Sequence, residues 1–164
     1  MITAPRSTST GRAAALVVVA LAAAGWLVYT QWWGQGGGRQ VAWRDLTSQL
    51  GPVEFTHKLT AVYHSRASFH RLLEATMPSR TPTVPAVEWA RDEVIVIALG
   101  PRSSTGYSLR ILRVLERRRG IYVTAREETP TLSDPVAARV TYPYRALAIH
   151  GSAKPVYVKL QGRP

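Results

Sequence analysis

The chain has 164 residues, a length that fits one ordinary domain plus an N-terminal segment and argues against a two-domain enzyme. It carries 21 Lys and Arg residues against 10 Asp and Glu, and this formal net charge of +11 indicates anionic partners. The sequence contains 0 Cys, which excludes disulfides, thiolate zinc sites, iron–sulfur clusters and a cysteine nucleophile.

An apolar segment near the N-terminus is typical of a membrane anchor. Residues 13–28 carry no charge, and the aromatic-rich residues 29–33 extend the stretch to about the 20 residues that a spanning helix needs. We expect a cytoplasmic tail over 1–12, a transmembrane anchor over 13–33 and export of the remainder, since Arg6 and Arg12 precede the span. The small residues at 22–24 leave a cleaved signal peptide, with release into the periplasm, as the alternative.

Residues 34–40 are rich in Gly and predict a flexible tether that holds a domain over 41–164 close to the bilayer. All acidic residues and most basic residues lie in that domain. One interpretation is a cationic surface facing anionic lipid. The other is a solvated basic surface without a partner.

The first elements of the domain follow from hydrophobic periodicity. Alternation over 53–63 predicts a half-buried strand. Residues 66–77 have apolar side chains at helical spacing between Ser65, a candidate N-cap, and Pro78, and so predict a short amphipathic helix. The prolines of 78–85 predict an extended connector, and the β-branched run 93–99 predicts a central strand covered on both faces.

The second half of the domain consists of strands. Residues 107–116 and 121–127 predict a hairpin that turns at Arg118, Arg119 and Gly120. A loop over 129–135 and strands over 139–149 and 155–160 follow, with Pro143 indicating an edge, a bulge or a bend. Together these elements predict a mainly β or α+β domain, preceded by the transmembrane helix. We expect a mostly antiparallel sheet or sandwich of about six strands with one short helix.

No catalytic or metal-binding pattern is present. The four histidines include no HxH or HExxH pair, and His57 and His64 are predicted on opposite faces of a strand. There is no GxSxG motif, and the adjacent Glu127 and Glu128 point to opposite faces, which suits an acid and base pair poorly. We therefore expect no enzyme activity, no metal and no cofactor.

The segment 100–107, GPRSSTGY, is the most informative stretch. Ser103, Ser104 and Thr105 beside Arg102 could cradle a phosphate or carboxylate on successive backbone amides. The alternative, which we favour because a strand rather than a helix follows, is a tight connection in which Gly106 takes a positive φ. The arginines at 117–119 are interpreted as a solvated turn, and an exported domain argues against nucleic acid as a partner.

Several separated motifs resemble one known family. They are the strand 85–100 that ends in Gly, Ser104-Thr-Gly-Tyr-Ser108, Glu128-Thr-Pro130 and Val140-Thr-Tyr-Pro-Tyr144. In this order they are similar to the C-terminal domain of the protease complex subunit PrcB family, over about residues 43–160. The family usually has two Gly before the Tyr, whereas this chain has one, Gly106.

The resemblance implies an exported or anchored bacterial envelope protein without catalytic activity that is associated with a protease complex. We expect a noncatalytic, membrane-tethered domain that binds or helps assemble a partner protein, with Tyr and Arg as interface anchors. The expected contact residues are Arg102, Ser103, Ser104, Thr105, Gly106, Tyr107, Tyr142, Tyr144 and Arg145.

Two alternatives remain. The Thr-Gly-Tyr turn is similar to a loop of chagasin-like inhibitors of cysteine proteases, which suggests a protease inhibitor acting through 100–107. The positive charge suggests a cationic domain that binds anionic lipid or a cell-wall polymer.

Overall fold

The computed structural model describes residues 37–77, 80–131 and 133–162, and from Gly38 onward they belong to one compact unit. The predicted tail and membrane anchor, 1–33, lie outside the described residues. Among the described residues, no helix is both long enough and apolar enough to cross a membrane.

In the part of the chain that the structure describes, eight strands form two four-stranded sheets, two strands more than the sequence predicts. The first sheet has the order β1-β5-β6-β8 and the second the order β2-β7-β4-β3. All neighbouring strands are antiparallel except β6 and β8, which are parallel. The expectation of a mainly β, mostly antiparallel sandwich is confirmed, whereas the described residues form two helices in place of the one predicted. The elements are β1 (Arg39–Gln40), β2 (Trp43–Asp45), α1 (Thr47–Leu50), β3 (Leu59–Tyr63), α2 (Arg66–Thr76), β4 (Asp92–Ala98), β5 (Ser108–Arg117), β6 (Gly120–Glu128), β7 (Tyr144–His150) and β8 (Val156–Gln161).

The two additional strands are too short to show a period of two. β1 lies at the end of the predicted tether and pairs with β5, with Arg39 opposite Glu116. The side chains of these two residues also form a 2.6 Å ion pair. β3 and β7 are shorter than predicted. Val53 and Phe55 are buried in an irregular stretch before β3, and β7 begins only after Pro143, which cannot donate to a ladder.

Apolar side chains cover both faces of the second sheet. Between the sheets, Ile95 and Ile97 of β4 pack with Leu147 and Ile149 of β7 against residues of β5 and β6. On the opposite face, alternate residues of the same two strands pack with Phe69 and Leu73 of α2. The central strand predicted from the β-branched run is therefore confirmed, because both of its faces are buried.

Helix α2 begins at the predicted residue and ends one residue before the predicted end. The Ser65 hydroxyl accepts a 3.3 Å hydrogen bond from the Ser68 amide, which satisfies one of the free N–H groups of the first turn. The helix ends at Thr76, and its buried residues Phe69 and Leu73 are four apart, one turn along the face that meets the sheet.

A bulge interrupts the β5–β6 hairpin. Ile111 pairs with Ala125 and Arg113 with Thr124, so Leu112 is the extra residue. The bulge shifts the alternation by one position, and as a result Leu109, Ile111 and Val114 all face the core while Arg110 and Arg113 share the outer face.

Two connections cross between the sheets at the same end of the sandwich. Residues 99–107 lead from β4 in the second sheet to β5 in the first, and residues 129–143 lead from β6 back to β7. Ala98 pairs with Tyr144, and Ser108 pairs with Glu128, so the connections begin and end beside each other.

Candidate functional site

The two crossover connections lie against each other and hold most of the residues predicted to contact a partner. We call residues 100–107 and 135–143 the paired loops. Arg102 and Thr141 form an antiparallel bridge in which each amide donates to the other residue's carbonyl, at 2.8 and 2.9 Å. Backbone pairing between segments that are almost 40 residues apart fixes both loops in one arrangement.

Side chains extend this pairing. The Thr105 amide donates to the Ala137 carbonyl at 3.1 Å, and the Ala137 amide donates to Thr105 Oγ1 at 3.0 Å. Thr141 Oγ1 donates to the Ser104 carbonyl at 2.7 Å. The amides of Arg102 and Thr105 therefore bond the neighbouring loop, and these two donors are not available to the anion cradle considered from the sequence.

Glycines permit the close approach, although not in the way the sequence indicates. The prediction that Gly106 has a positive φ is wrong. Gly100, where the chain leaves β4, has the positive φ instead, 78°. At Gly106 the constraint is space, because a Cβ atom would lie 2.5 Å from both Pro130 Cβ and Val136 Cγ1. Gly106 thus lets 100–107 pack directly on the other crossover.

Arg102 is an internal anchor of the first loop. Its Nε lies 2.6 Å from Glu127 Oε1 and its Nη2 lies 3.1 Å from Glu127 Oε2, a bidentate ion pair with β6. Its Nη1 also donates to the carbonyls of Leu99 and Pro101, each at 3.0 Å. The hydrogen bond to Glu127 raises the pKa of Arg102, while partial burial opposes the rise. The guanidinium predicted to meet a partner is therefore occupied within the domain.

The remaining predicted residues differ in accessibility. Ser103 and Thr105 are exposed, and Ser104, Gly106, Tyr107 and Tyr142 are half-buried. Tyr144 faces away from the paired loops and is buried, 5.2 Å from the ring of Phe55. Its hydroxyl donates to the carbonyls of Gly51 and Thr47, and burial raises its pKa to about 12. The Tyr144 side chain is thus a core residue and is not available for partner contact, contrary to the expectation.

Arg145 is also held within the domain. Its Nε donates to the Leu109 carbonyl of β5 at 2.6 Å, and its Nη1 lies 3.8 Å from Asp45 Oδ2 of β2. It bridges the two sheets where the crossovers begin.

Sequence reasoning missed two large apolar residues that are exposed at the site. Val136 is 41% exposed and Val140 is 60% exposed, and both lie on the second of the paired loops. The sequence places Val140 in a strand, which would have buried alternate residues. The available signal is Pro143, because a proline at that position ends the ladder and leaves the preceding residues in a loop.

A second polar cluster lies at the start of β4, away from the paired loops. A cleft of about 330 Å³ is lined by Glu93, Asp92, His64, His150 and Trp89, among others. Glu93 is only 2% exposed, its Oε2 lies 3.0 Å from His64 Nδ1, and no described donor completes a hydrogen bond to its Oε1. Burial raises the pKa of Glu93, against the opposing effects of His64 and the Ser152 amide. Among the described residues, no three His, Asp or Glu side chains are arranged so that they could hold a metal ion, so we assign no metal to this cleft.

Comparison with known proteins gives one family. Residues 94–150 match the family model described as PrcB C-terminal. The matched segment runs from β4 to β7 and contains the hairpin and both paired loops. Neither the curated proteins nor the solved structures give a significant match. The family match supports the PrcB-like domain that the sequence motifs indicate.

Proposed function

We propose that this chain is a noncatalytic protein of the bacterial cell envelope whose paired loops bind a partner protein. In this proposal, residues 13–33 anchor the chain in the membrane, and the domain that follows the tether lies outside the cytoplasm. The partner that the family resemblance implies is an envelope protein of a protease complex.

The observation that carries the proposal is a fixed loop surface with exposed apolar side chains. Backbone and side-chain hydrogen bonds join the paired loops, so little conformational entropy remains to be lost on binding. Val136 and Val140 are exposed on this surface, and Tyr107 and Tyr142 are half-buried in the same loops. Aliphatic and aromatic groups on a prearranged surface are typical of protein contacts.

Protease inhibition through residues 100–107 stays the alternative proposal. Residues 102–105 are bonded along one side to residues 137–141, so a partner would meet the two loops together. The same surface suits a partner that lies across both loops.

Site-specific photocrosslinking in cells tests the proposal. A photoreactive amino acid replaces Ser103 in the tagged full-length protein, and captured proteins are identified by mass spectrometry. The matched control carries the same group at Ala75, an exposed position on α2. We expect one envelope protein to be captured from position 103 and not from position 75.

Second-site variants then assign the contact. Val140→Asp should lower the capture yield about tenfold or more, because the interface would then bury a charge that has no partner. Ala75→Asp adds the same charge on α2 and should leave the yield unchanged. Equal capture from both positions, or a yield insensitive to Val140→Asp, would contradict the proposal. Inhibition of a papain-like protease by micromolar protein would instead favour the inhibitor alternative.

The membrane anchor is tested separately. The intact mass of the protein isolated from membranes should include residues 1–33, and deletion of 13–33 should release the protein from the membrane fraction. A mature chain that begins near residues 22–24 would show that the segment is a cleaved signal peptide.

A further inference from the structure

The outer face of the first sheet carries a concentrated set of basic side chains. Across β5, β6 and β8, the register places Arg110 opposite Arg126, and Arg113 and Lys159 on either side of Thr124. All four basic residues are exposed. Thr124 is only 6% exposed, and it lies within 3.4 Å of Arg113 Nε. The described residues place no helix or other strand over this face.

These charges are poorly compensated within the domain. Like charges directly opposite each other on neighbouring strands destabilise a sheet, and Arg110 and Arg126 have this arrangement. Arg110 lies 3.3 Å from Glu128 in an exposed ion pair. Among the described residues, no ion pair involves Arg113, Arg126 or Lys159. An anion bound to this face would offset the repulsion between Arg110 and Arg126. The face is therefore complementary to a negatively charged ligand.

Aromatic rings lie beside the basic residues on the same face. Tyr122 and Tyr157, which are cross-strand neighbours, have ring centroids 5.1 Å apart and an interplanar angle of 24°. The Arg117 guanidinium lies 5.1 Å from the centroid of the Tyr122 ring. Tyr157 is 49% exposed, so one side of the ring pair is open to a ligand.

The spacing of these groups suits a linear polymer. Residues two apart along a strand are separated by about 6.6 Å, and neighbouring strands by about 4.8 Å. The side chains of this face form three rows across the strands, and the rows cross β6 at Arg126, Thr124 and Tyr122. The first two rows contain the basic residues, and the third contains the tyrosines. Arg dominates over Lys in these rows, and its planar fork matches phosphate oxygens.

We propose that this outer face binds an extended sugar–phosphate polymer, with Arg110 and Arg126 of the first row and Arg113 and Lys159 of the second row on neighbouring phosphates, and a sugar ring against Tyr157. Recognition rests on the backbone of the polymer and does not require nucleobases, as in a phosphodiester-linked polymer of the cell wall. None of these residues belongs to the paired loops, so this proposal does not rest on the proposed partner protein.

Fluorescence anisotropy with a labelled abasic oligodeoxynucleotide tests the proposal, because this probe is a sugar–phosphate chain without bases. The full-length protein is used in detergent at 50 and 200 mM salt. Four phosphate contacts on a single strand give a salt slope of about −3, so affinity should fall about 50-fold between these conditions. A slope near zero would overturn the proposal.

Matched variants locate the binding face. The double variant Arg113→Gln and Arg126→Gln should reduce the slope by about 1.4, since each phosphate contact contributes about 0.7. The control double variant, Arg66→Gln and Arg71→Gln, removes the same charge from exposed positions on α2 and should change neither slope nor affinity. Equal losses in both variants would show that net charge alone is responsible. Tyr157→Ser should weaken binding severalfold while leaving the slope unchanged, because it removes the ring and no charge.

Two further probes distinguish other occupants. Oligothymidylate of the same length should bind within about threefold of the abasic chain, and a preference above tenfold would replace the proposal by recognition of bases on the aromatic pair. Vesicles with 30% phosphatidylglycerol that bind through the same arginines, while the abasic chain does not bind, would replace it by a membrane surface.

Discussion

Substitution of Gly106 by Ala should separate the paired loops. The added Cβ would lie 2.5 Å from Pro130 Cβ and from Val136 Cγ1, whereas carbon atoms in contact prefer about 3.5–4.0 Å, so the loops must move apart by roughly 1 Å. Such overpacking costs about 1–3 kcal/mol. The movement also strains the two hydrogen bonds that join Thr105 and Ala137, each worth about 1 kcal/mol. We expect the free energy of unfolding to fall by about 2–4 kcal/mol.

Urea unfolding of the full-length protein and its Gly106→Ala variant measures this loss. Ser103→Ala is the control, because Ser103 is exposed in the same loop and its truncation should change stability by less than about 0.5 kcal/mol. Hydrogen exchange at the amides of Arg102 and Thr141 should accelerate in Gly106→Ala alone, since these amides form the bridge. A loss below about 0.5 kcal/mol with unchanged exchange would refute the packing argument.

Three other variants test individual contacts. Tyr144→Phe keeps the ring but leaves the Gly51 carbonyl without its donor, so unfolding free energy should fall by about 1–2 kcal/mol, and an unchanged urea midpoint would contradict the hydrogen bond. Hydrogen bonds from Lys154 and then Arg39 lower the pKa of Glu116 from 4.5 to about 2, so its stabilising effect is present above pH 4.5 and is lost as pH falls towards 2. Glu116→Gln should therefore flatten the acid limb of stability against pH, and identical acid limbs would argue against the ion pairs. Burial raises the pKa of Glu93, so the carboxyl group ionises less readily in the folded protein than in the unfolded protein. Its contribution to stability is therefore lost as pH rises through the folded-state pKa. Glu93→Gln should gain stability relative to the wild type as pH rises above 4.5, and a pH-independent difference would rule this out.

Local patterns were sufficient for the central elements of the fold. The β-branched run specifies a strand buried on both faces, and Ser65 with the apolar spacing that follows specifies α2. The hairpin follows from two strand-forming segments, 107–116 and 121–127, on either side of the turn at Arg118 and Arg119. Each of these features depends on residues that are close together in the chain, and periodicity reports on such residues directly.

The site depended on contacts that no local pattern encodes. Glu127, the partner of Arg102, lies 25 residues away, and the sequence shows two charged residues without showing that they meet. The bulge at Leu112 is likewise not encoded by any local sequence pattern. Residues three apart in a regular strand point to opposite faces, so Arg110 and Arg113 read from the sequence do not predict one basic surface.

The alternation of strands between sheets has a consequence for folding. From β4 onward the chain visits the second sheet, then the first twice, then the second, then the first, so neither sheet is continuous in sequence. Only the β5–β6 hairpin pairs residues that are local, whereas β2 pairs with β7 across about a hundred residues of chain. A topology dominated by distant strand pairings folds slowly, in milliseconds to seconds. The reason is that the entropy cost of closing long loops arises before the stabilising contacts between the strands are made. The hairpin is therefore expected to form early, and the edge strands β1 and β2 are expected to close the two sheets last.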